Sequence, residues 1–123
     1  LAPRPHNSGH FSLDACDCSQ FEMQVRTVCG LAIHEPRLLG PCAMINLLGK
    51  HVDRLDVPRL ASLSGVKLHL YGKKRVEPRR KMGHVTVLGT DTEAIDRTLA
   101  RIEELIGEKL GAGNPASPME LSR

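Results

Sequence analysis

The sequence predicts an α+β fold, a small and mainly antiparallel sheet covered by two helices. Three observations predict it. Two stretches, 19–29 and 91–106, carry helical periodicity together with start and stop signals; two stretches, 66–72 and 82–88, alternate apolar with polar residues around a strongly basic loop; and 42–48 is an apolar run too short for a typical helix. The 123 residues, 13.5 kDa, fit one domain. A chain of this length buries roughly two-thirds of its unfolded surface. Phe11, Phe21 and Tyr71 are the only aromatic residues, so the core has to be built from Leu, Val, Ile, Met and Ala.

Residues 1–18 are expected to be extended or looped. Pro3 and Pro5 stiffen the start, and Phe11, Leu13 and Ala15 alternate after Gly9 in the manner of a short strand. SQFEMQVRTVCG then reads as a helix, with Ser19 as N-cap, Glu22 as its capping-box partner, Phe21, Val25, Val28 and Cys29 at helical spacing, and Gly30 as the stop. LAIHEPRLLGP is a connection. CAMINLL, 42–48, reads as a buried strand, and DVPRLASLSG as one short helix starting at Pro58 and ended by Gly65. VKLHLYG sets Val66, Leu68 and Leu70 against Lys67, His69 and Tyr71, and KMGHVTVLG supplies a second strand that pairs with it as a hairpin. In DTEAIDRTLARIEELIG, Thr90 and Glu93 make a capping box, and Ile95, Leu99, Ile102 and Ile106 form one stripe. GAGNPASPMELSR has little to bury and is expected to be a disordered tail.

Cys16, Cys18, Cys29 and Cys42 lack the paired Cys-x-x-Cys spacing of a zinc site, so reduced thiols are expected, with Cys29 and Cys42 packing as small hydrophobes; no metal site is assigned. No apolar run approaches the roughly 18 residues of a membrane helix, and no secretory signal is visible, which makes a cytoplasmic protein the default. The formal charge is +3, yet KKRVEPRRK at 73–81 holds six cations and one carboxylate. Positive charge focused on one loop suits a compact anion better than a polyanion. A small RNA-binding module is the alternative, but single-stranded RNA binding adds stacking aromatics, and only Tyr71 is nearby. No Ser/His/Asp arrangement, glycine-rich phosphate loop or paired carboxylate suggests catalytic machinery within the chain itself. At the start, Arg4, His6, Asn7, Ser8 and His10 crowd anion-binding side chains into seven positions.

Three segments, APRPHNSGH, SQFE heading a helix, and LHLYGKKRVEPRRKMGHVTV, in that order resemble the C-terminal part of the 5-(carboxyamino)imidazole ribonucleotide synthase family, ATP-grasp enzymes of purine biosynthesis. The likeness runs from Leu1 to about Gly107; PRPHNSGH and KMGHVTV are specific in combination, whereas SQFE alone is only a capping box. The resemblance implies that 1–15 ends an ATP-grasp domain and carries a substrate loop, that 16–107 is the C-terminal domain, and that 108–123 is a disordered tail. It also implies that the leading segment joins the sheet of the ATP-grasp domain. The family's Asn-Glu pair for ATP and magnesium falls just before the segment matched by Leu1, so the chain is expected to be a fragment that does not hydrolyse ATP alone.

By resemblance, the complete enzyme, expected to be a homodimer, uses ATP and Mg2+ to turn bicarbonate into carboxyphosphate. It then passes the carboxyl group to the exocyclic amine of aminoimidazole ribonucleotide, releasing ADP and phosphate. Arg4, Lys73 and Arg80 match the family's positions for the substrate 5′-phosphate, and His6, Asn7 and Ser8 lie where its loop approaches the ribonucleotide. His10 and His84 are either site residues or structural histidines. Lys74, Arg75 and Arg79 are expected to be solvated, and His34, His51 and His69 receive no role. Glu77 stands where the family tends to have a cation, and Arg79 where it has a glycine.

Overall fold

The computed structural model describes residues 4–110. Three strands, β1 (Cys42–Leu48), β2 (Val66–Leu70) and β3 (Lys81–Leu88), form one antiparallel sheet in the order β1-β3-β2. The hairpin expected between 66–72 and 82–88 is present, with its first strand ending at Leu70 because Gly72, at φ +62°, turns the chain. Five short or regular helices accompany the sheet: a four-residue α1 (Ser12–Ala15), α2 (Gln20–Val28), α3 (Gly49–Val52), α4 (Val57–Ala61) and α5 (Thr92–Ile106). A 3-10 turn spans Asn7–Gly9.

Central strand β3 is buried from Met82 through Val87, and its alternation divides the domain in two. On one face Val85 and Val87 lie beside Ile45 and Ala43 of β1 and Leu68 and Val66 of β2. Ile95, Ile102 and Ile106 of α5 and Leu60 of α4 close this apolar core. The predicted stripe of 91–106 is therefore what seals the sheet. Its cap differs from the expected Thr90–Glu93 box: Asp91 accepts from the Ala94 N–H at 2.7 Å, and Thr90 donates to Asp91 instead. Aspartate wins because its side chain reaches the free amides of the first turn with a full charge.

On the opposite face β3 presents His84 and Thr86, flanked by Asn46 and Met44 of β1 and His69 and Lys67 of β2. Helix α1 packs here, with Ser12 and Ala15 buried. The alternation of Phe11, Leu13 and Ala15 does not make a strand; residues 4–15 enter no strand of this sheet. Ser12 Oγ donates to the Gly9 carbonyl at 2.5 Å and accepts from the Gln20 N–H at 2.9 Å, which holds a turn of helix where three alternating apolar side chains suggested extension. Only Cys16 makes an isolated bridge, with Leu38.

Helix α2 begins at the expected N-cap, Ser19 accepting from the Glu22 N–H at 3.1 Å, but the Glu22 carboxylate takes the Arg26 guanidinium at 2.9 Å instead of closing the capping box; the chain turns at Gly30, φ +66°. Its packing differs. It leans on α1, and none of its residues is buried, because α1 and the polar side chains already fill this side of the sheet. Val25 and Val28 stay exposed, and so does Cys29, contrary to its expected packing as a small hydrophobe. Cys16, Cys18 and Cys42 are free thiols, and burial, with Cys16 nearby, pushes Cys42 up to about 11. Residues 108–110, expected in the tail, are tied down: Glu108 pairs with Lys50, and the Leu110 N–H donates to Glu103 at 2.9 Å. The rest of the expected tail, 111–123, lies outside the described residues.

Ile102→Ala should lower stability by about 2–5 kcal/mol, since it empties a fully buried position, whereas Val28→Ala should stay within about 0.5 kcal/mol. Urea unfolding of the two variants measures both.

Candidate substrate-binding site

The anion-binding cluster at the chain start is folded as a tight turn. The Gly9 N–H donates to the His6 carbonyl at 2.9 Å and the His10 N–H to the Asn7 carbonyl at 3.1 Å. His6 caps the turn: its Nδ1 accepts from the Ser8 N–H at 3.3 Å and lies 3.1 Å from Ser8 Oγ. His6 and Ser8 are exposed, Asn7 half-buried, and Arg4 is exposed just upstream. The turn buries no side chain of its own.

The second cluster is the basic loop 73–81, which closes the β2–β3 hairpin. Two bonds moor it to the β1–α3 junction, from the Gly49 N–H to the Arg80 carbonyl at 2.9 Å and from the Lys50 N–H to the Pro78 carbonyl at 3.3 Å. A Cβ at Gly49 would collide with the Glu77 carbonyl, so the loop lies directly on this glycine. Lys73 Nζ donates to the Lys81 carbonyl at 2.7 Å and stands 5.2 Å from the Tyr71 ring centre. Arg80 Nη1 donates to the Arg75 carbonyl at 3.1 Å, bracing the loop from within. Glu77, placed where the resemblance has a cation, pairs with Arg75 at 3.2 Å. Lys74, Arg75 and Arg79 are exposed, as are Lys73 and Arg80.

Between the two clusters stands a stack of aromatic and imidazole rings. His10 lies 5.4 Å from Phe21, 6.1 Å from Tyr71 and 5.2 Å from His84, centre to centre. His84 stacks on His69 at 4.5 Å, and the Tyr71 hydroxyl is 2.9 Å from His84 Nδ1. His69 Nε2 is 2.7 Å from Asp14 Oδ2, which anchors α1 to β2. Through His10 and Tyr71, the turn at 6–9 and Lys73 are thus joined on one side of the sheet. Arg80 sits at the far end of the loop, and Arg4 ahead of the turn.

Sequence reasoning missed Gln20, His69, Tyr71 and Asp14. His69 had no motif around it, and Gln20 was hidden inside what reads as a capping box. Its spatial neighbours Ser12, His10 and His6 lie 8, 10 and 14 residues back in the chain, where no local pattern could point.

Asp14, His69 and His84 are the one group of three ligating side chains gathered among the described residues, their ligand atoms within 4.8 Å of one another. The two imidazole planes lie 12° from parallel, and His69 Nε2 already meets Asp14 Oδ2 at 2.7 Å. Burial, then the neighbouring His69 and His10, push His84 down to about 4, against a weaker opposing pull from Asp14. His10 is also lowered, by burial first and then by His6, His69 and Lys81. His84 is therefore neutral in the folded chain near neutral pH, while in the unfolded chain it titrates at 6.5. Below that value the unfolded state takes up a proton that the folded state refuses. His84's contribution is present above pH 6.5 and shrinks as pH falls toward 4, with a slope of up to about 1.4 kcal/mol per pH unit. Urea midpoints measured between pH 7 and 5 should fall accordingly, and His84→Gln should flatten that part of the dependence.

Residues 42–98 match the family described as the phosphoribosylaminoimidazole carboxylase C-terminal domain, and residues 1–21 match the ATP-grasp domain. An N5-carboxyaminoimidazole ribonucleotide synthase of Bacillus subtilis (strain 168) is 51% identical over 89 residues, covering 72% of this chain and 23% of that protein. The crystal structure of an N5-carboxyaminoimidazole ribonucleotide synthetase from Thermus thermophilus is 38% identical with a TM-score of 0.77, over 87% of this chain and 29% of that one. A synthase from Aspergillus clavatus, solved in complex with ADP and 5-aminoimidazole ribonucleotide, is 28% identical with a TM-score of 0.75, over 85% and 30%. The chain spans about a quarter of the length of the curated relatives it matches, 23% of the Bacillus protein. Fold, motifs and both matches agree that the chain belongs to the N5-carboxyaminoimidazole ribonucleotide synthase family, of which it carries the C-terminal domain and the end of the ATP-grasp segment.

Proposed function

We propose that this chain supplies the ribonucleotide-phosphate side of an ATP-dependent ligase that carboxylates aminoimidazole ribonucleotide with bicarbonate. The observation that carries the reading is the convergence of the His6–Gly9 turn and Lys73 on one side of the sheet, linked through His10 and Tyr71. A phosphate dianion calls for cations backed by neutral donors. Lys73 supplies the cation, exchanging the Lys81 carbonyl for the phosphate, and His6, Asn7 and Ser8 supply short neutral donors. Arg80, bracing the basic loop, and Arg4, ahead of the turn, complete the set. The relative holding 5-aminoimidazole ribonucleotide supports this assignment by homology.

ATP and magnesium are not fitted by the described residues. The carboxylates on this side are already engaged, Asp14 by His69 and Asp17 by Arg37 at 3.0 Å, and the loop cations face no paired carboxylates among the described residues. The nucleotide is therefore held mainly by other parts of the complete enzyme. Residues 1–15 belong with the ATP-grasp segment and 16–107 form the C-terminal domain; the complete enzyme is a cytoplasmic homodimer. Among the described residues no helix is long and apolar enough to cross a membrane. The RNA-binding alternative gains no support: Tyr71, the aromatic beside the basic loop, already has its hydroxyl on His84 and Lys73 over its ring.

Purified 1–123 should release no ADP above a blank when given ATP, bicarbonate and aminoimidazole ribonucleotide; bicarbonate-stimulated release would overturn the nucleotide assignment. In the complete synthase, Lys73→Ala and Arg80→Ala should each weaken ribonucleotide binding by about 10- to 150-fold, the worth of one charge-assisted contact, with ATP binding little changed. Arg79→Ala removes the same charge from the same loop and should stay within about twofold. Equal losses at Arg79 and Arg80 would mean a diffuse field in place of a phosphate contact.

A further inference from the structure

The His6–Gly9 turn has no buried residue to hold it, yet it lies in one defined position. Side chains from two other elements hold it, Ser12 of α1 at the Gly9 carbonyl and Gln20 of α2 at both backbone groups of His6. Gln20, the first residue of α2, accepts through Oε1 from the His6 N–H at 2.9 Å and donates through Nε2 to the His6 carbonyl at 2.9 Å. The same Nε2 lies 2.7 Å from His10 Nδ1, and the Gln20 N–H reaches Ser12 Oγ, which in turn holds the Gly9 carbonyl. A Cβ at Gly9 would stand 2.5 Å from Gln20 Oε1, so the amide fills the space that this glycine leaves.

The partners fix the amide's orientation without ambiguity. A backbone N–H only donates and a backbone carbonyl only accepts, so Oε1 must face the first and Nε2 the second. Nε2 then donates to His10, and His10 Nδ1 must carry a lone pair. The imidazole is neutral with its proton on Nε2. Protonated at both nitrogens, His10 would set a donor against the Gln20 amide; flipping the amide to relieve that would place NH2 against the His6 N–H and oxygen against the His6 carbonyl.

We propose that Gln20 is a positioning residue: gripped by neutral His10, its amide presets the His6–Gly9 turn for the ribonucleotide and releases that turn when His10 takes up a proton. The inference rests on the substrate-site reading above. His10 is faced by His6 from the turn, Gln20 and Phe21 from α2, His69 from β2, Tyr71 beyond it, and Lys81 and His84 from β3. Asp14 sits behind His69, two rings away. Burial first, and then the neighbouring His6, His69 and Lys81, keep the His10 proton off and the turn set near neutral pH. In energetic terms the grip removes the ordering cost that a loose turn would impose on binding.

The test titrates aminoimidazole ribonucleotide into the full 15N-labelled chain between pH 7.5 and 5.5, following the His6–His10 amides and the imidazole nitrogens of His10. Unliganded wild type should show His10 with Nδ1 unprotonated, and a slowly exchanging His6 amide that speeds up as His10 titrates. Gln20→Ala should weaken ribonucleotide binding about tenfold at pH 7.5, from two or three lost neutral hydrogen bonds, while binding of inorganic phosphate at Lys73 changes less than twofold. Gln20→Glu, which keeps the shape but offers oxygen to both His6 carbonyl and His10, should lose affinity similarly and raise the His10 titration point. His10→Asn, whose Oδ1 stands in for Nδ1 but does not titrate, should keep affinity and flatten its pH dependence; a purely structural role would not produce that rescue. Wild-type binding with Gln20→Ala and Gln20→Glu within twofold overturns the positioning role. A His10 that carries its proton on Nδ1 overturns the grip. Ribonucleotide that fails to bind wild type at every pH, with His6 exchange still governed by Gln20, instead overturns the substrate-site reading and with it the function assigned to the grip.

Discussion

The central strand is hydrogen-bonded on both sides and covered on both faces, and most of what the domain does follows from that constraint. Once Met82–Val87 are locked between β1 and β2, the parity of a residue decides its chemistry. Odd positions Val85 and Val87 go to the aliphatic core under α5; even positions His84 and Thr86 go to the polar side beneath α1. A shift of one residue would exchange the two sets and place imidazole in the core. Gly83 adds a local condition, since a Cβ there would strike the His69 carbonyl; the close approach keeps His69 in stacking register with His84.

The two clusters capable of meeting an anion inherit their positions from this strand. The basic loop departs from one end of β3 and is moored to the end of β1 by Gly49 and Lys50, so its cations hang from the two best-paired strands. The turn at 6–9 reaches the same side by a different route, through Gln20, His10 and the ring stack. One cluster is thus set by sheet geometry and the other by side-chain hydrogen bonds, which explains how two segments far apart in sequence come to lie on one side of the sheet.

The parts of the fold legible in the sequence were those governed by periodicity. The 66–72 and 82–88 pair and the helix ending at Ile106 show an apolar repeat, and strand 42–48 a short apolar run, because each presents a face to the same core. Elements whose hydrogen bonds follow no local spacing rule were not legible. α1 has four residues, too few for a period, and depends on Ser12 bonding to Gly9 and Gln20. The cap of α5 moved one residue, from Thr90 to Asp91, because charge and reach outweighed the spacing rule. In the candidate site, the motif residues His6–Ser8 and Lys73 stand out in the sequence by composition and spacing, as groups able to donate to an anion. The residues behind them could not: Gln20 looks like any first residue of a helix, and His69 like any polar residue on a half-buried strand, until the tertiary fold brings their partners across.

The unequal filling of the two sheet faces sets how the molecule comes apart. On the polar face of the sheet Asn46 Oδ1, His84 Nε2 and Thr86 Oγ1 are buried with no hydrogen-bond partner among the described residues, so that face carries a desolvation cost which opening would return to it as hydration. Lifting α5 instead would bare Ile95, Ile102 and Ile106 and gain nothing in exchange. The layer from the 6–9 turn through α2 is accordingly the weaker lamina, able to peel away while β1–β3, α4 and α5 stay assembled. Cohesion is concentrated on one side, and the side that carries the His6–Gly9 turn is left free to breathe.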